Sequence, residues 1–113
     1  MKRKRVHAGR RKEIEKELER IKAALPRLNV EKAVLFGSSA REETGAGSDI
    51  DLLIVMDTEL PFLERLTALY KSLNPQVALD LLVYTPEEMA RLAERPFFRE
   101  ILREGVVLYA KES

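Results

Sequence analysis

The chain has no cysteine, a single histidine and no long apolar run, and each absence removes a class of protein. Without cysteine there are no disulfides, no thiolate zinc sites and no cysteine nucleophile, which fits an intracellular protein. The one histidine, His7, lies in a polar, basic stretch, where a solvated side chain is the plain reading and neither a metal ligand nor a general base is assigned. No apolar stretch approaches the roughly 20 residues of a membrane span, and the basic start lacks the apolar segment of a secretory signal. The expected location is therefore the cytoplasm, with no membrane partner. The chain also lacks the glycine patterns of the common phosphate-binding and dinucleotide-binding loops, and it has no repeat, linker or low-complexity segment.

What is present is a chain of 113 residues, enough for one core and short for two domains. Its net charge of +1 hides an asymmetry. Residues 1–12 carry Lys2, Arg3, Lys4, Arg5, Arg10, Arg11 and Lys12 with no acid, which leaves the rest of the chain acidic. The expected organisation is a basic, flexible N-terminal arm over 1–12 and a single domain over 13–113. Such an arm could contact nucleic acid or an acidic partner, but a solvated terminus is the plainer reading.

Hydrophobic periodicity outlines the domain. Ile14, Leu18, Ile21 and Leu25 form one helical stripe ended by Pro26, with the intervening Glu and Lys positions as a solvated face. Phe62, Leu63, Leu66, Leu69, Tyr70 and Leu73 mark a second amphipathic helix before Asn74-Pro75. Pro86 starts another, Pro96 interrupts or ends it, and Phe97 to Arg103 continues helically before Gly105. Val106 to Tyr109 reads as a short final strand. With the strands described below, the order predicts an α+β fold, an α/β sandwich whose small mixed sheet is flanked by helices.

Residues 34–55 carry the chemistry. Val34, Leu35 and Phe36 form a short apolar strand that runs into Gly37, Ser38 and Ser39, and the apolar run Ile50 to Val55 is interrupted by Asp51 and preceded by Asp49. A buried strand does not accept ionised carboxylates unless their charge is compensated, so this pair calls for a cation. Residues two apart on a strand share a face, with Cα atoms roughly 6.6 Å apart, so both carboxylates can reach one ion. Oxygen ligands at about 2.1 Å favour Mg²⁺, with Mn²⁺ as second choice. Ile50, Leu52 and Ile54 point the other way, giving the strand one wet, acidic end and one dry face. Gly37 permits positive φ or close approach of a ligand. Ser38 and Ser39 are candidate helix caps, and Arg41 adds a planar cationic donor beside amides that favour phosphate.

Taken together, Gly37-Ser38, the spacer that includes Ala40-Arg41, and Ser48-Asp49-Ile50-Asp51-Leu52 between apolar strands resemble the signature of the DNA polymerase beta superfamily of nucleotidyltransferases, and within it the minimal nucleotidyltransferases. The resemblance runs from about Lys32 to Tyr84 and implies a third acid on a later strand. An independent search finds one. Val77 to Tyr84 is rich in strand formers, is bounded by Asn74-Pro75 and Thr85-Pro86, and contains Asp80 at its centre. Its parity groups Asp80 with Leu82 and Tyr84, opposite Leu79, Leu81 and Val83. Singly, Gly37-Ser38 reads as an ordinary turn, Asp80 as a strand acid paired with a surface arginine, and Arg41 as a common residue at a helix start; the joint pattern favours a nucleotide site.

The resemblance implies transfer of a nucleoside monophosphate, AMP from ATP by family habit, to an acceptor hydroxyl with release of pyrophosphate. It gives Asp49, Asp51 and Asp80 the role of catalytic ligands to two Mg²⁺ ions, and gives Gly37, Ser38 and Arg41 the role of holding the phosphates. About thirty residues follow Tyr84, few for recognising an acceptor, so a partner or a second copy is expected to complete the site. Minimal nucleotidyltransferases pair with small helical HEPN proteins as antitoxins, and some transfer AMP to their partner, which makes a HEPN protein the implied recipient. Two other functions stay open: transfer to a small molecule of the aminoglycoside type, and a non-catalytic module that neutralises its partner sterically.

Overall fold

Ile50–Met56 is an apolar run broken only by Asp51, and such a run is stable only when both of its faces are covered. The computed structural model, which describes residues 2–37 and 48–112, places it as β2 in the interior of a four-stranded sheet. The other strands are β1 (Val30–Phe36), β3 (Leu79–Tyr84) and β4 (Val106–Ala110), in the order β3-β2-β1-β4. β1 is antiparallel to both β2 and β4, whereas β2 and β3 are parallel, so the sheet is mixed as expected.

Among the described residues four helices flank the sheet: α1 (Lys2–Ala24), α2 (Phe62–Leu73), α3 (Pro86–Leu92) and α4 (Pro96–Glu104). A 3-10 turn over Leu25–Leu28 contains Pro26 and closes on Asn29 in the left-handed region. Pro86 opens a helix as expected, and Pro96, read as interrupting or ending it, opens another, because the first helical turn has no use for the missing N–H. Thr85 caps α3, with its hydroxyl accepting from the Glu88 amide while the Glu88 side chain accepts from the Thr85 amide. α1 takes in the basic stretch read as an arm from Lys2 onward; Gly9 is the only poor helix former between Ala8 and Lys12. Among the described residues no helix is long and apolar enough to cross a membrane.

One face of the sheet packs Ile50, Leu52 and Ile54 with Leu79, Leu81 and Val83 against Ile21 of α1 and Leu69 and Leu73 of α2. The other face corrects the expectation of a single dry side. Leu53 is fully buried there, with Val34, Met89, Phe98 and Ile101 around it. The sheet is thus the middle of three layers, and only the ends of β2 approach solvent. Gly105 allows the turn after α4 to close over β1: a Cβ at that position would lie 2.5 Å from a Val34 methyl and 2.9 Å from the Leu35 carbonyl oxygen.

Two buried ionic groups tie these layers together. The Arg65 guanidinium, 8% exposed, donates to the Glu88 carboxylate at 2.8 and 3.1 Å and to the carbonyls of Leu60 and Val83, joining α2 to β3 and α3. Glu17 belongs to the helix face that was read as solvated, yet it is 4% exposed. It accepts from Arg20 at 2.9 Å and from the Gln76 amide at 2.6 Å, which pins α1 to the loop entering β3. The Arg20 guanidinium holds the Glu17 carboxyl below its ordinary range.

Candidate active site

Parallel pairing of β2 with β3 sets Asp51 directly beside Asp80. Neighbouring strands lie about 4.8 Å apart and equivalent residues in register share a face, so both carboxylates rise from the same side of the sheet. That side is the α3/α4 side, but α3 and α4 cover it over Leu53, Val55, Leu82 and Tyr84 and leave the start of the two strands open. Asp51 is half-buried and Asp80 exposed. Tyr70 fixes the beginning of β3 from the opposite face, its hydroxyl donating to the Leu79 carbonyl at 2.6 Å. Burial, and secondarily the negative charge of Asp80, pushes the Tyr70 phenol up, so it stays a neutral donor.

Gly37 ends β1, one residue beyond Phe36, which pairs with Asp51. Its φ is +74°, a conformation most side chains disfavour. The same position has a second requirement. A Cβ there would stand 2.5 Å from Asp51 Oδ2. The glycine and the aspartate of the motif, read separately in the sequence, are therefore one device in which the missing side chain makes room for the carboxylate. Ser38 and Arg41 lie outside the described residues, as does the short helix expected after the turn.

Asp49 precedes β2 and is held differently. Its backbone N–H donates to the Ala78 carbonyl at 2.8 Å, and its Oδ2 accepts from the Ala78 amide at 3.0 Å, so it bridges the entrances of β2 and β3. The same oxygen accepts from the guanidinium of Arg10 on α1, a residue that sequence reading left in the basic arm. Arg10 also bonds Glu13 at 2.7 Å. Ser48 donates its hydroxyl to Asp51 Oδ1. Among the described residues no three acidic or histidine side chains converge closely enough to hold a metal ion. Asp51 and Asp80 are neighbours, whereas Asp49 is turned to Arg10 and Ala78. A metal site using all three would need Asp49 to exchange that arginine for the ion.

A cleft of about 210 Å³ opens beside the same glycine, between the end of β1 and α4, lined by Phe36, Gly37, Phe97, Ile101 and the acids Glu100 and Glu104. Two carboxylates one helical turn apart make it unsuitable for phosphate. The strand ends instead combine a left-handed glycine, adjacent carboxylates of hard oxygen chemistry and a cation within bonding distance. Those are parts that metal-assisted phosphoryl or nucleotidyl chemistry uses.

Comparison with known proteins supplies the family. The family model described as "Polymerase beta, Nucleotidyltransferase" matches residues 19–113. A Methanocaldococcus jannaschii protein named "Putative protein adenylyltransferase" is 36% identical over 81 residues, which are 71% of this chain and 79% of that protein. The crystal structure of a "putative nucleotidyltransferase" from Sulfolobus solfataricus superposes with a TM-score of 0.56 at 22% identity, covering 95% of this chain and 86% of that one, so the fold is shared. A mutant of the MntA-HpeT toxin-antitoxin superposes with a TM-score of 0.47 at 18% identity, over 90% of this chain and 74% of that one, a likeness too slight to build on. The strand pairing that brings Asp51 to Asp80 beside Gly37 lies wholly inside the matched region, and the chain belongs to the polymerase beta nucleotidyltransferase family.

Proposed function

We propose that this nucleotidyltransferase moves AMP from ATP to a hydroxyl of a partner protein, with Mg²⁺ held by Asp49, Asp51 and Asp80. The observation that carries the reading is the register pair Asp51 and Asp80 at the open end of the sheet, next to a glycine that leaves space for Asp51. The donor set is carboxylate oxygen, which suits hard divalent cations, Mg²⁺ first and Mn²⁺ second. When bound, two such ions stabilise charge on the attacking and leaving oxygens. The chain's own residues supply the rest. The acceptor oxygen bonds the α-phosphorus as the bond from that phosphorus to the β-phosphate oxygen breaks, pyrophosphate departs with the electron pair, and Asp80 receives the hydroxyl proton. Gly37 offers backbone to the phosphates, and Ser38 and Arg41 join it in this proposal on the strength of the sequence pattern.

The adenylyl group and the protein acceptor are supported by the name of the Methanocaldococcus jannaschii relative. Resemblance to minimal nucleotidyltransferases supports a small helical HEPN protein as recipient, and a triphosphate substrate supports a cytoplasmic setting. The test is incubation with each labelled triphosphate and Mg²⁺, with and without the product of the neighbouring gene, and mass spectrometry of any adduct. Asp51→Asn should lower transfer by about 10²–10³-fold with circular dichroism unchanged. Undiminished transfer overturns the metal assignment; partner binding without transfer from any triphosphate replaces catalysis with steric neutralisation.

A further inference from the structure

Arg10 bonds a site carboxylate from outside the strand motif, and its placement calls for a role. It projects from α1, which is anchored to the sheet four residues later by Ile14 and further on by Ile21. Its side chain is 43% exposed while that of Asp49 is 18% exposed, so an exposed cation neutralises a half-buried carboxylate. Glu13, one turn further along α1, holds the other side of the guanidinium at 2.7 Å. A divalent ion taking Asp49 would repel this cation and break its bond to Oδ2. Glu13 would still keep it at the site mouth, with N–H donors freed in the planar fork that matches phosphate oxygens.

We infer that Arg10 is a phosphate-binding residue of the active site, resting on Asp49 in the empty enzyme and passing to the polyphosphate of the metal-bound nucleotide when the ion takes its place. The ligand class is a triphosphate, or the pyrophosphate that leaves. This rests on the nucleotidyl-transfer reading above and adds to it a residue from outside the strand motif. It also gives part of the basic N-terminal segment a function other than contact with nucleic acid.

The two halves of the exchange predict effects of opposite sign. Binding of Mn²⁺ alone, and separately of ATP with Mg²⁺, is measured by calorimetry for wild type, Arg10→Ala and Arg10→Lys. Arg10→Ala should bind Mn²⁺ alone several-fold more tightly, because a competing cation has gone, and the magnesium complex of ATP about tenfold more weakly. Arg10→Lys should recover part of the nucleotide affinity. The thermal midpoint should hardly move, since Arg10 is exposed. If Arg10→Ala leaves both affinities at the wild-type values, or weakens both together with a fall in thermal midpoint, the assignment is overturned and Arg10 is a structural counter-ion. If wild type binds no triphosphate at all, the nucleotidyl-transfer reading fails and takes this one with it.

Discussion

Two arginine–carboxylate pairs in this protein have the same chemistry and different surroundings. Arg65 and Glu88 meet inside the fold, with the guanidinium 8% exposed and bonded to two carbonyls besides the carboxylate. Arg10 and Asp49 meet at the surface end of the sheet, with the guanidinium 43% exposed and bonded to two carboxylates. The guanidinium of the first pair is buried and saturated by protein groups. The second involves partners that a metal ion and a phosphate can each take over. Burial and satisfaction of the donors, more than the ion pair itself, separate a structural tie from an exchangeable one.

Breaking the inner pair should have the larger consequence for stability. Arg65→Met keeps an apolar stem but strands the Glu88 charge and leaves the Leu60 and Val83 carbonyls without this donor. The expected loss is about 3 kcal/mol in urea unfolding, with transfer per folded molecule unchanged. A loss below about 1 kcal/mol would show that water on the exposed side of Glu88 suffices to solvate it, and would erase the contrast with Arg10.

The sequence foretold these two regions unequally. The placement of some candidate residues was legible because they are close in sequence or have clear strand parity: Gly37, Asp49 and Asp51 lie within one segment, and the alternation around Asp80 predicts which face it takes. The closeness of Gly37 to Asp51 was not legible, because it depends on the register of β1 against β2. Arg65 and Glu88 are far apart in sequence and sit on different helices, so their union appears only when α2 and α3 pack beside β3. Glu17 and Arg10 escaped notice for a similar reason. Helical periodicity separates an apolar stripe from a polar face, but does not say which polar residue meets a partner at the end of a sheet. Leu53 shows the same limit in a strand, since an all-apolar run does not announce that its second face is also covered.

Acid should sharpen the comparison. The Arg65 guanidinium, and next the Thr85 amide, hold the Glu88 carboxyl at about 2, well below its ordinary 4.5. A carboxyl depressed in the folded state contributes stability above its unfolded value, and the contribution disappears as pH falls from about 4.5 towards 2. With allowance for partial exposure of Glu88, wild type should exceed Glu88→Gln by about 2 kcal/mol at pH 7, and the gap should close over that window. Unfolding curves of the two proteins at pH 7, 4 and 2.5 measure it. A gap that persists undiminished at the lowest pH would assign the effect to packing or to the Thr85 cap instead of charge.

The outer pair should yield the smallest number and the greater sensitivity to salt. An exposed guanidinium gains little from a carboxylate in water, and salt screens what it gains over about 8 to 10 Å. A double-mutant cycle with Arg10→Ala and Asp49→Asn, read in thermal unfolding without divalent ions, should therefore give a coupling below about 1 kcal/mol that declines between low salt and 1 M NaCl. The same cycle across Arg65 and Glu88 should change less with salt, because the guanidinium is buried and only the carboxylate is partly exposed. If the outer coupling instead proved large and independent of salt, Asp49 would hold Arg10 too firmly to exchange it for a metal ion, and the distinction between a structural tie and an exchangeable one would collapse.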